Sequence, residues 1–302
     1  MNAQEEQELA ELVGKDEAVE FQGAKFRFKR LKERKPGESW ILLVYGPSKA
    51  GKTFFGGTAG PRTLFINIGE GIDTLLSPAF TTRYPAAKDM IVADVRESET
   101  GKALAFDEVT SVIDEALKLF PDKFDTIVID EATAFRKFAL NRGMELNTEA
   151  RTRGSSRGSR TEDFVTAEVG DYGKEMQLIE WFLATYIPKF KAAKKHFILL
   201  AHERQTFGKP AKIGDDPILK RITPGFTGKT FPDAVPVYFD DVFRMEVVGG
   251  GTNVAYRIRT AGSEIEMGGV RHGGVFDVVE ANPNFLTLLA KIQAGVMRTS
   301  TR

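Results

Sequence analysis

A short glycine-rich segment at residues 46–53, GPSKAGKT, constrains the fold of this chain more than any other feature. It follows the uninterrupted apolar run WILLVY at residues 40–45, which is typical of a strand buried on both faces of a parallel sheet. A strand that runs into a glycine-rich loop and then into a helix is the start of a parallel α/β unit. The sequence therefore predicts an α/β fold with this loop at the carboxyl end of a strand.

The loop has the residue types that phosphate binding requires, with Gly46, Gly51, Lys52 and Thr53 at the defining positions. Glycines let backbone N–H groups turn toward phosphate oxygens, Lys52 supplies a positive charge, and the Thr53 hydroxyl is suited to bind Mg²⁺. A helix that begins inside the loop adds the positive end of its dipole. We expect ATP and Mg²⁺ to be bound by Gly46, Pro47, Ser48, Lys49, Ala50, Gly51, Lys52, Thr53 and Phe54.

A carboxylate that completes the Mg²⁺ site is expected at Asp130, where the apolar run TIVID at residues 126–130 ends. Besides Lys52, hydrolysis needs a group that aligns the attacking water. Glu131 directly follows Asp130, whereas Glu70 follows the apolar run RTLFINI at residues 62–68. Both glutamates remain candidates.

The spacing of apolar residues predicts three further helices. Apolar residues three and four apart over residues 103–120 indicate an amphipathic helix. Helical spacing returns after Asp171, a candidate N-cap, and Pro188 predicts a kink or a stop. A last helix is expected from Asn284.

Strands and loops account for most of the remaining chain. Strands are expected at residues 62–68, 90–95, 124–130 and 196–201, and a hairpin at residues 239–260. Residues 141–170 are rich in Gly, Ser and Thr, and residues 203–236 are rich in Gly, Pro and charged side chains. We therefore expect two long loops there, the first of them mobile.

Composition excludes several kinds of site. Lys plus Arg equals Asp plus Glu at 42 each, so binding to a polyanion must depend on local clusters. The absence of cysteine excludes disulfides, thiolate zinc sites and cysteine nucleophiles. No run approaches the roughly 18 apolar residues of a membrane span, so we expect a cytoplasmic protein without membrane contact.

The order of P-loop, LFINIGEG, FDTIVIDEAT, an arginine-bearing loop, FILLAHER, a second loop, FDDVFRMEV and AYRIRT resembles the RecA-like P-loop ATPases. It is most similar to compact phage-encoded versions associated with DNA recombination and single-strand annealing. The resemblance covers residues 40–265. It implies a mainly parallel twisted sheet flanked by helices, with a C-terminal antiparallel hairpin extension.

The same resemblance implies roles for residues outside the P-loop. Glu70 takes the place of the catalytic glutamate, although Asn67 stands where an acidic residue is usual, so Glu131 remains the alternative. His202 takes the place of a polar residue that senses the γ-phosphate. The two long loops correspond to DNA-gripping loops, which makes candidates of Arg151, Arg153, Arg157, Arg160, Arg204, Phe207, Lys209 and Lys229.

We therefore expect a DNA-stimulated ATPase that forms a ring or filament of identical subunits on single-stranded DNA, in recombination, annealing or repair. A single-strand-binding or replication protein is a possible partner. The alternative is a nucleotide-switched assembly or replication-loading ATPase with incidental DNA contact. The expected domains are an acidic arm and basic linker at residues 1–36, the ATPase core at residues 37–265 and a tail with a short helix at residues 266–302.

Overall fold

A computed structural model describes most of the chain, namely residues 19–21, 24–26, 37–69, 71–97, 102–154, 167–209, 216–249 and 254–295. Near the N-terminus, β1 (Val19–Phe21) and β2 (Ala24–Phe26) form a separate antiparallel pair. The other elements, in chain order, are β3 (Ile41–Gly46), α1 (Lys52–Gly57), β4 (Thr63–Asn67), α2 (Asp73–Leu76), α3 (Pro78–Thr81), β5 (Ile91–Asp94), α4 (Ala105–Leu119), β6 (Thr126–Asp130), α5 (Ala132–Gly154), α6 (Val169–Ala192), β7 (His196–Gly208), β8 (Ile218–Pro224), α7 (Phe231–Ala234), β9 (Asp241–Val248), β10 (Ala255–Arg259), β11 (Gly269–Val270), β12 (Val279–Ala281) and α8 (Phe285–Ala294). Single 3₁₀ turns lie at Pro85–Asp89 and Val235–Tyr238.

The main sheet has ten strands, eight of them in the order β12-β10-β9-β3-β7-β6-β4-β5, with β11 on β9 and β8 on β7. The six strands from β9 to β5 along this order are mutually parallel. Strands β10, β11, β12 and β8 pair antiparallel with their neighbours. The expected architecture, a mainly parallel sheet with a C-terminal antiparallel extension, is confirmed. Within the predicted hairpin, β9 is itself a parallel neighbour of the P-loop strand.

Two apolar cores cover the two faces of the sheet, because parallel strands are buried on both sides. One core joins the sheet to α4, α5 and α6, where Phe135 packs between Phe106 and Phe182. The other core lies beneath α1 and α8, where Trp40 stacks on Phe285 with ring centroids 5.0 Å apart. The segment predicted as a tail thus contributes β11, β12 and α8 to the same body as the ATPase core.

The prediction of a mobile loop at residues 141–170 is wrong over residues 141–154, which continue helix α5. This helix carries no continuous apolar stripe, so its periodicity signal is absent. Its stability comes instead from good helix formers and from packing against α6. Asn147 Nδ2 donates to Asp171 Oδ1 at 2.7 Å, and a Cβ placed on Gly143 would lie 3.0 Å from Lys174 Cβ.

The second predicted loop, residues 203–236, is also partly regular. Strand β7 continues seven residues past Ala201 and pairs with β8 in an antiparallel hairpin. The hairpin projects beyond the apolar core, so its side chains are mostly charged or polar. The sequence therefore lacks the apolar pattern that would predict a strand there. Short helix α7 and the 3₁₀ turn at Val235–Tyr238 then lead to β9.

Two details of the predicted helix ends differ. The N-cap of α6 is Glu168, and Asp171 sits three residues later as the reciprocal partner of a capping box. Pro188 lies inside α6, which continues to Ala192. The helix predicted from Asn284 is α8, and Asn284 is its N-cap, whose side chain accepts a hydrogen bond from the Thr287 N–H. Among the described helices, none is both long enough and apolar enough to cross a bilayer.

Candidate functional site

The candidate site lies where the parallel strands end. Gly46 is the last residue of β3 and is aligned with His202 of β7. Asp130 is the last residue of β6 and is aligned with Asn67 of β4. Ligands of open parallel α/β sheets bind outside the carboxyl ends of the strands, which is where these residues meet.

The P-loop depends on two of its glycines. A Cβ on Gly46 would lie 2.2 Å from the Met245 carbonyl oxygen, so no other residue fits against β9. Gly51, the N-cap of α1, has a φ of 85°, a left-handed conformation that favours glycine. The loop therefore turns tightly from β3 into α1, as a loop that binds phosphate through its backbone N–H groups requires.

The ammonium group of Lys52 is held inside the loop. Its Nζ donates to the carbonyl oxygens of Pro47 at 2.8 Å and Gly46 at 3.1 Å, and it lies 3.3 Å from Nδ1 of His202. Burial lowers the pKa of Lys52, and the nearby charges of Glu131 and Asp130 oppose that shift. The lysine thus sits close to carboxylates and carbonyls, in a place where a phosphate would be a strong competing partner.

Thr53 and Asp130 form the pair predicted to hold Mg²⁺. The Thr53 hydroxyl donates to Asp130 Oδ2 at 2.6 Å. Burial raises the pKa of Asp130 to about 6, although the Thr53 hydrogen bond lowers it. Gly71 lies over this pair, since a Cβ there would be 2.8 Å from Thr53 Oγ1 and 2.9 Å from Asp130 Oδ2.

These oxygens fit a magnesium ion. Mg²⁺ prefers hard oxygen ligands and usually uses one or two protein groups together with phosphate oxygens and water. The Thr53 hydroxyl and the buried Asp130 carboxylate supply two such oxygens side by side, and Gly71 adds no side chain above them. A cation beside Asp130 would also offset the cost of burying its charge.

Glu131 meets His202 on the other side of Lys52. Its Oε2 lies 2.5 Å from Nε2 of His202, while Nδ1 of the same ring faces Lys52. The imidazole therefore bridges the P-loop lysine and one of the two candidate catalytic glutamates. Glu70, the other candidate, lies outside the described residues, although its neighbours Gly69 and Gly71 line the cavity.

The cavity has a volume of about 440 Å³. Its walls include most of the predicted nucleotide-binding residues, namely Ser48, Lys49, Gly51, Lys52, Thr53, Phe54, Asp130, Glu131 and His202. The remaining loop residues support it: Ala50 is buried, and Gly46 and Pro47 offer their carbonyls to Lys52. The structure thus brings the predicted site together around one opening.

Tyr256 is a cavity residue that sequence reasoning missed. It lies on β10, and its ring approaches the P-loop so closely that a Cβ on Gly51 would be 3.0 Å from Tyr256 Cδ1. The only signal in the sequence is an aromatic residue in an alternating strand, which does not specify a partner. The pairing of β10 with β9, and of β9 with β3, places it there.

Of the predicted DNA-binding residues, Arg204, Phe207, Lys209 and Lys229 do not line the cavity. Arg151 and Arg153 are in the last turns of α5, whereas Arg157 and Arg160 lie outside the described residues. Arg204 donates to the carbonyl oxygens of Gly228 at 2.7 Å and Phe226 at 3.2 Å. Phe207 and Lys209, at the end of β7, and Lys229, before α7, are exposed.

Comparisons with known proteins agree with this geometry. A protein-family model described as an AAA domain matches residues 38–263. No curated protein matches the sequence. Similar solved structures include the flagellar accessory protein FlaH from Methanocaldococcus jannaschii, with 11% identity over 74% of this chain and 78% of that chain and a TM-score of 0.39.

Two further structures are similar over the same share of this chain. The RadB recombinase has 13% identity, coverage of 74% of this chain and 81% of that chain, and a TM-score of 0.35. A KaiC-like protein from Pyrococcus horikoshii has 12% identity, coverage of 74% of this chain and 77% of that chain, and a TM-score of 0.38. The narrower resemblance to phage recombination and annealing ATPases stays a prediction.

Proposed function

This chain belongs to the AAA domain family of P-loop ATPases, and from that premise we propose that it hydrolyses ATP with Mg²⁺ in response to single-stranded DNA. Recombination, annealing or repair, in a phage-encoded context, is the setting that fits such an activity. When bound, Mg²⁺ would neutralise charge on the β- and γ-phosphate oxygens. Lys52 would bind the same phosphates, Thr53 and Asp130 would hold the ion, and Glu131 or Glu70 would align the attacking water.

One observation carries the link to DNA: a single strand, β7, holds His202 at the nucleotide cavity and then runs into an exposed hairpin. Phe207, at the far end of that strand, is 54% exposed. Lys209 follows it, and Lys220 lies on the paired strand. An exposed aromatic ring among lysines is suited to base stacking and to phosphate contacts.

The cations on and beside this hairpin do not all support DNA binding equally. The guanidinium of Arg204 already donates to two backbone carbonyl oxygens, and Arg221 pairs with Asp233 at 2.8 Å. Arg204 therefore acts first as a support for the segment that follows β8. We assign the DNA contact mainly to Phe207 and Lys209, with Lys229 as a third contact or as a residue that reaches a neighbouring subunit.

The test is the ATP turnover rate with and without single-stranded DNA, for the wild type and for the double variant Phe207→Ala/Lys209→Ala. We expect DNA to raise the wild-type rate, and the variant to keep the basal rate but lose the stimulation. Loss of one lysine contact should also reduce the slope of log affinity against log salt by about 0.7. Lys118→Ala/Lys123→Ala, with two exposed lysines in and after α4, is the matched control and should behave as the wild type.

Two results would redirect the proposal. If the hairpin variant binds DNA as the wild type does, with an unchanged salt slope, the nucleotide-switched assembly or loading ATPase becomes the better account. If the protein binds ATP but never hydrolyses it, with or without DNA, the proposal that it is an ATPase is wrong. Electron microscopy of the protein with ATP and single-stranded DNA tests the proposed ring or filament of identical subunits in the same samples.

A further inference from the structure

A buried charged cluster joins α5, α6 and the segment after β8. Arg136 Nε donates to Glu175 Oε1 at 2.6 Å, and the Thr227 hydroxyl donates to the same oxygen at 2.6 Å. Arg136 also donates to the carbonyl oxygen of Gly225 at 2.5 Å and to Thr227 Oγ1. Glu175 is only 1% exposed, so Arg136 is the cation that offsets the burial of its carboxylate.

The segment held by Arg136 lies directly against the end of the nucleotide cavity. The Gly225 N–H donates to the carbonyl oxygen of His202 at 2.7 Å. A Cβ on Gly225 would lie 2.9 Å from that same oxygen, so the two backbones are in close contact. One end of Arg136 thus fixes Glu175, and the other fixes the peptide that contacts His202.

We propose that Arg136 is a positioning residue, which holds the backbone at His202 so that its imidazole stays between Lys52 and Glu131. The proposal rests on the ATPase function proposed above, and it adds a residue that lies outside the cavity walls. Arg136 acts only through Gly225 and Thr227. Displacing a catalytic group by about 1 Å can lower a rate on the order of a hundredfold, so a distant contact of this kind has a measurable effect.

The planar guanidinium is essential to this role. Arginine presents donors in a fixed fork and reaches a carboxylate, a carbonyl and a hydroxyl at the same time, whereas lysine is a compact charge on a flexible stem. Arg136→Lys therefore keeps a cation beside Glu175 but loses the fixed contact with Gly225. Glu175→Gln is the second variant, because it removes the buried charge and loosens the arginine without leaving an unpaired carboxylate.

The first measurement is steady-state ATP turnover. We expect both variants to lower kcat roughly tenfold to a hundredfold, with KM for ATP within about threefold of the wild type, since the P-loop contacts are unchanged. The control is Lys291→Gln, which breaks the ion pair of Lys291 Nζ with Glu280 Oε1 at 2.7 Å, between α8 and β12. That variant should keep the wild-type kcat.

The second measurement reports on His202 itself. The chain has three histidines, so protein labelled with ¹⁵N-histidine gives three sets of imidazole signals, and His202→Asn identifies one of them. In nucleotide-free Arg136→Lys, the His202 signals should move while those of His196 and His272 stay in place. This comparison does not require turnover, so it decides the positioning role even if the wild type proves inactive as an ATPase.

Two outcomes would overturn the proposal. The first is an unmoved His202 signal in both variants, with kcat equal to that of the wild type. The second is an equal displacement of all three histidine signals, which would make Arg136 a general structural contact. A wild type without ATP turnover, accompanied by a selective shift of His202, would instead refute the proposed function alone.

Discussion

Nζ of Lys52 lies 3.3 Å from Nδ1 of His202, and the far side of the same imidazole lies 2.5 Å from Glu131. A γ-phosphate that binds Lys52 must compete with the ring for this lysine. If the proposed ATPase function holds, this contact would link occupation of the P-loop to the position of β7, the strand that also forms the exposed hairpin. We infer that His202 reports the nucleotide state to the hairpin.

His202→Ala should separate ATP binding from its consequences. Without the imidazole, Lys52 still binds phosphate, but neither Glu131 nor β7 senses it. We expect KM for ATP within about threefold of the wild type, kcat lower by at least about tenfold, and no stimulation by single-stranded DNA. His272→Gln is the control, since His272 contacts Asp241 outside the cavity. If the DNA-stimulated rate of His202→Ala equals that of the wild type, His202 does not couple ATP binding to the hairpin.

Gly71→Ala should weaken the magnesium site selectively. The added methyl group would lie 2.8 to 2.9 Å from the oxygens of Thr53 and Asp130, a distance at which something must shift. We expect the Mg²⁺ concentration for half-maximal turnover to rise roughly tenfold. Gly69→Ala is a matched control two residues away, because its nearest neighbour would be at 3.7 Å, an ordinary contact. Equal Mg²⁺ dependence of the two variants would contradict this placement of the ion.

Asp130→Asn should stabilise the nucleotide-free protein while abolishing Mg²⁺-dependent turnover. The folded-state pKa of about 6 lies above the usual value of 3.8, so the ionised carboxylate costs stability that grows from pH 3.8 to about 6 and is constant above it. Asparagine still accepts the Thr53 hydroxyl. We expect a gain of about 3 kcal/mol in the free energy of unfolding at pH 7.5, shrinking as the pH falls from 6 toward 3.8.

Urea unfolding without ligand, at several pH values, checks this gain. Asp125→Asn provides a contrast of opposite sign, because the Arg62 side chain lowers the pKa of Asp125 and the charged form is the favoured one. That variant should not gain stability. An Asp130→Asn protein that is less stable than the wild type at pH 7.5 would refute the idea that burial makes the ionised carboxylate unfavourable.

His196 should make the fold sensitive to mild acid. Its Nδ1 accepts the Trp40 N–H at 3.0 Å, and burial lowers its pKa from 6.5 to about 4. Between these values the unfolded chain binds a proton that the folded protein does not, so stability falls as the pH drops from 6.5 toward 4. The loss amounts to about 3 kcal/mol.

The check is His196→Asn, in which Asn Oδ1 replaces Nδ1 as the acceptor and carries no proton equilibrium. Its unfolding free energy should fall less steeply than that of the wild type over pH 6.5 to 4. His272→Asn is the comparison, because Asp241 raises the pKa of His272. Removing His272 should therefore leave in place the loss of unfolding free energy that His196 causes in acid. Identical slopes in the wild type and His196→Asn would count against this source of acid sensitivity.

The parallel sheet and the P-loop follow from the sequence because their signals are local. The apolar runs before Gly46 and Asp130 become β3 and β6, and the loop pattern itself requires glycines with defined contacts. Thr53 and Asp130 are 77 residues apart, yet the order of strands brings them within 2.6 Å. Both were expected from the pattern of the motif.

What the sequence does not predict depends on long-range packing. Residues 141–154 lack an apolar stripe, so only their contact with α6 makes them helical. The hairpin beyond Ala201 is polar, and its pairing with β8 is fixed by backbone hydrogen bonds rather than by alternation. Tyr256 and Arg136 carry no local motif at all. Their roles can be recognised only from the positions of β10 and α5 in the fold.

The assignment of residues 46–53 as the ATP site is tested by ATP turnover of the wild type, Lys52→Ala and Lys49→Ala, each measured with and without single-stranded DNA. Lys49 is exposed on the rim of the same loop and provides the matched loss of one positive charge. We predict that the wild type and Lys49→Ala hydrolyse ATP faster with DNA, whereas Lys52→Ala loses at least about a hundredfold in kcat/KM under both conditions. Turnover by Lys52→Ala at the wild-type rate would contradict the assignment of this loop as the ATP site.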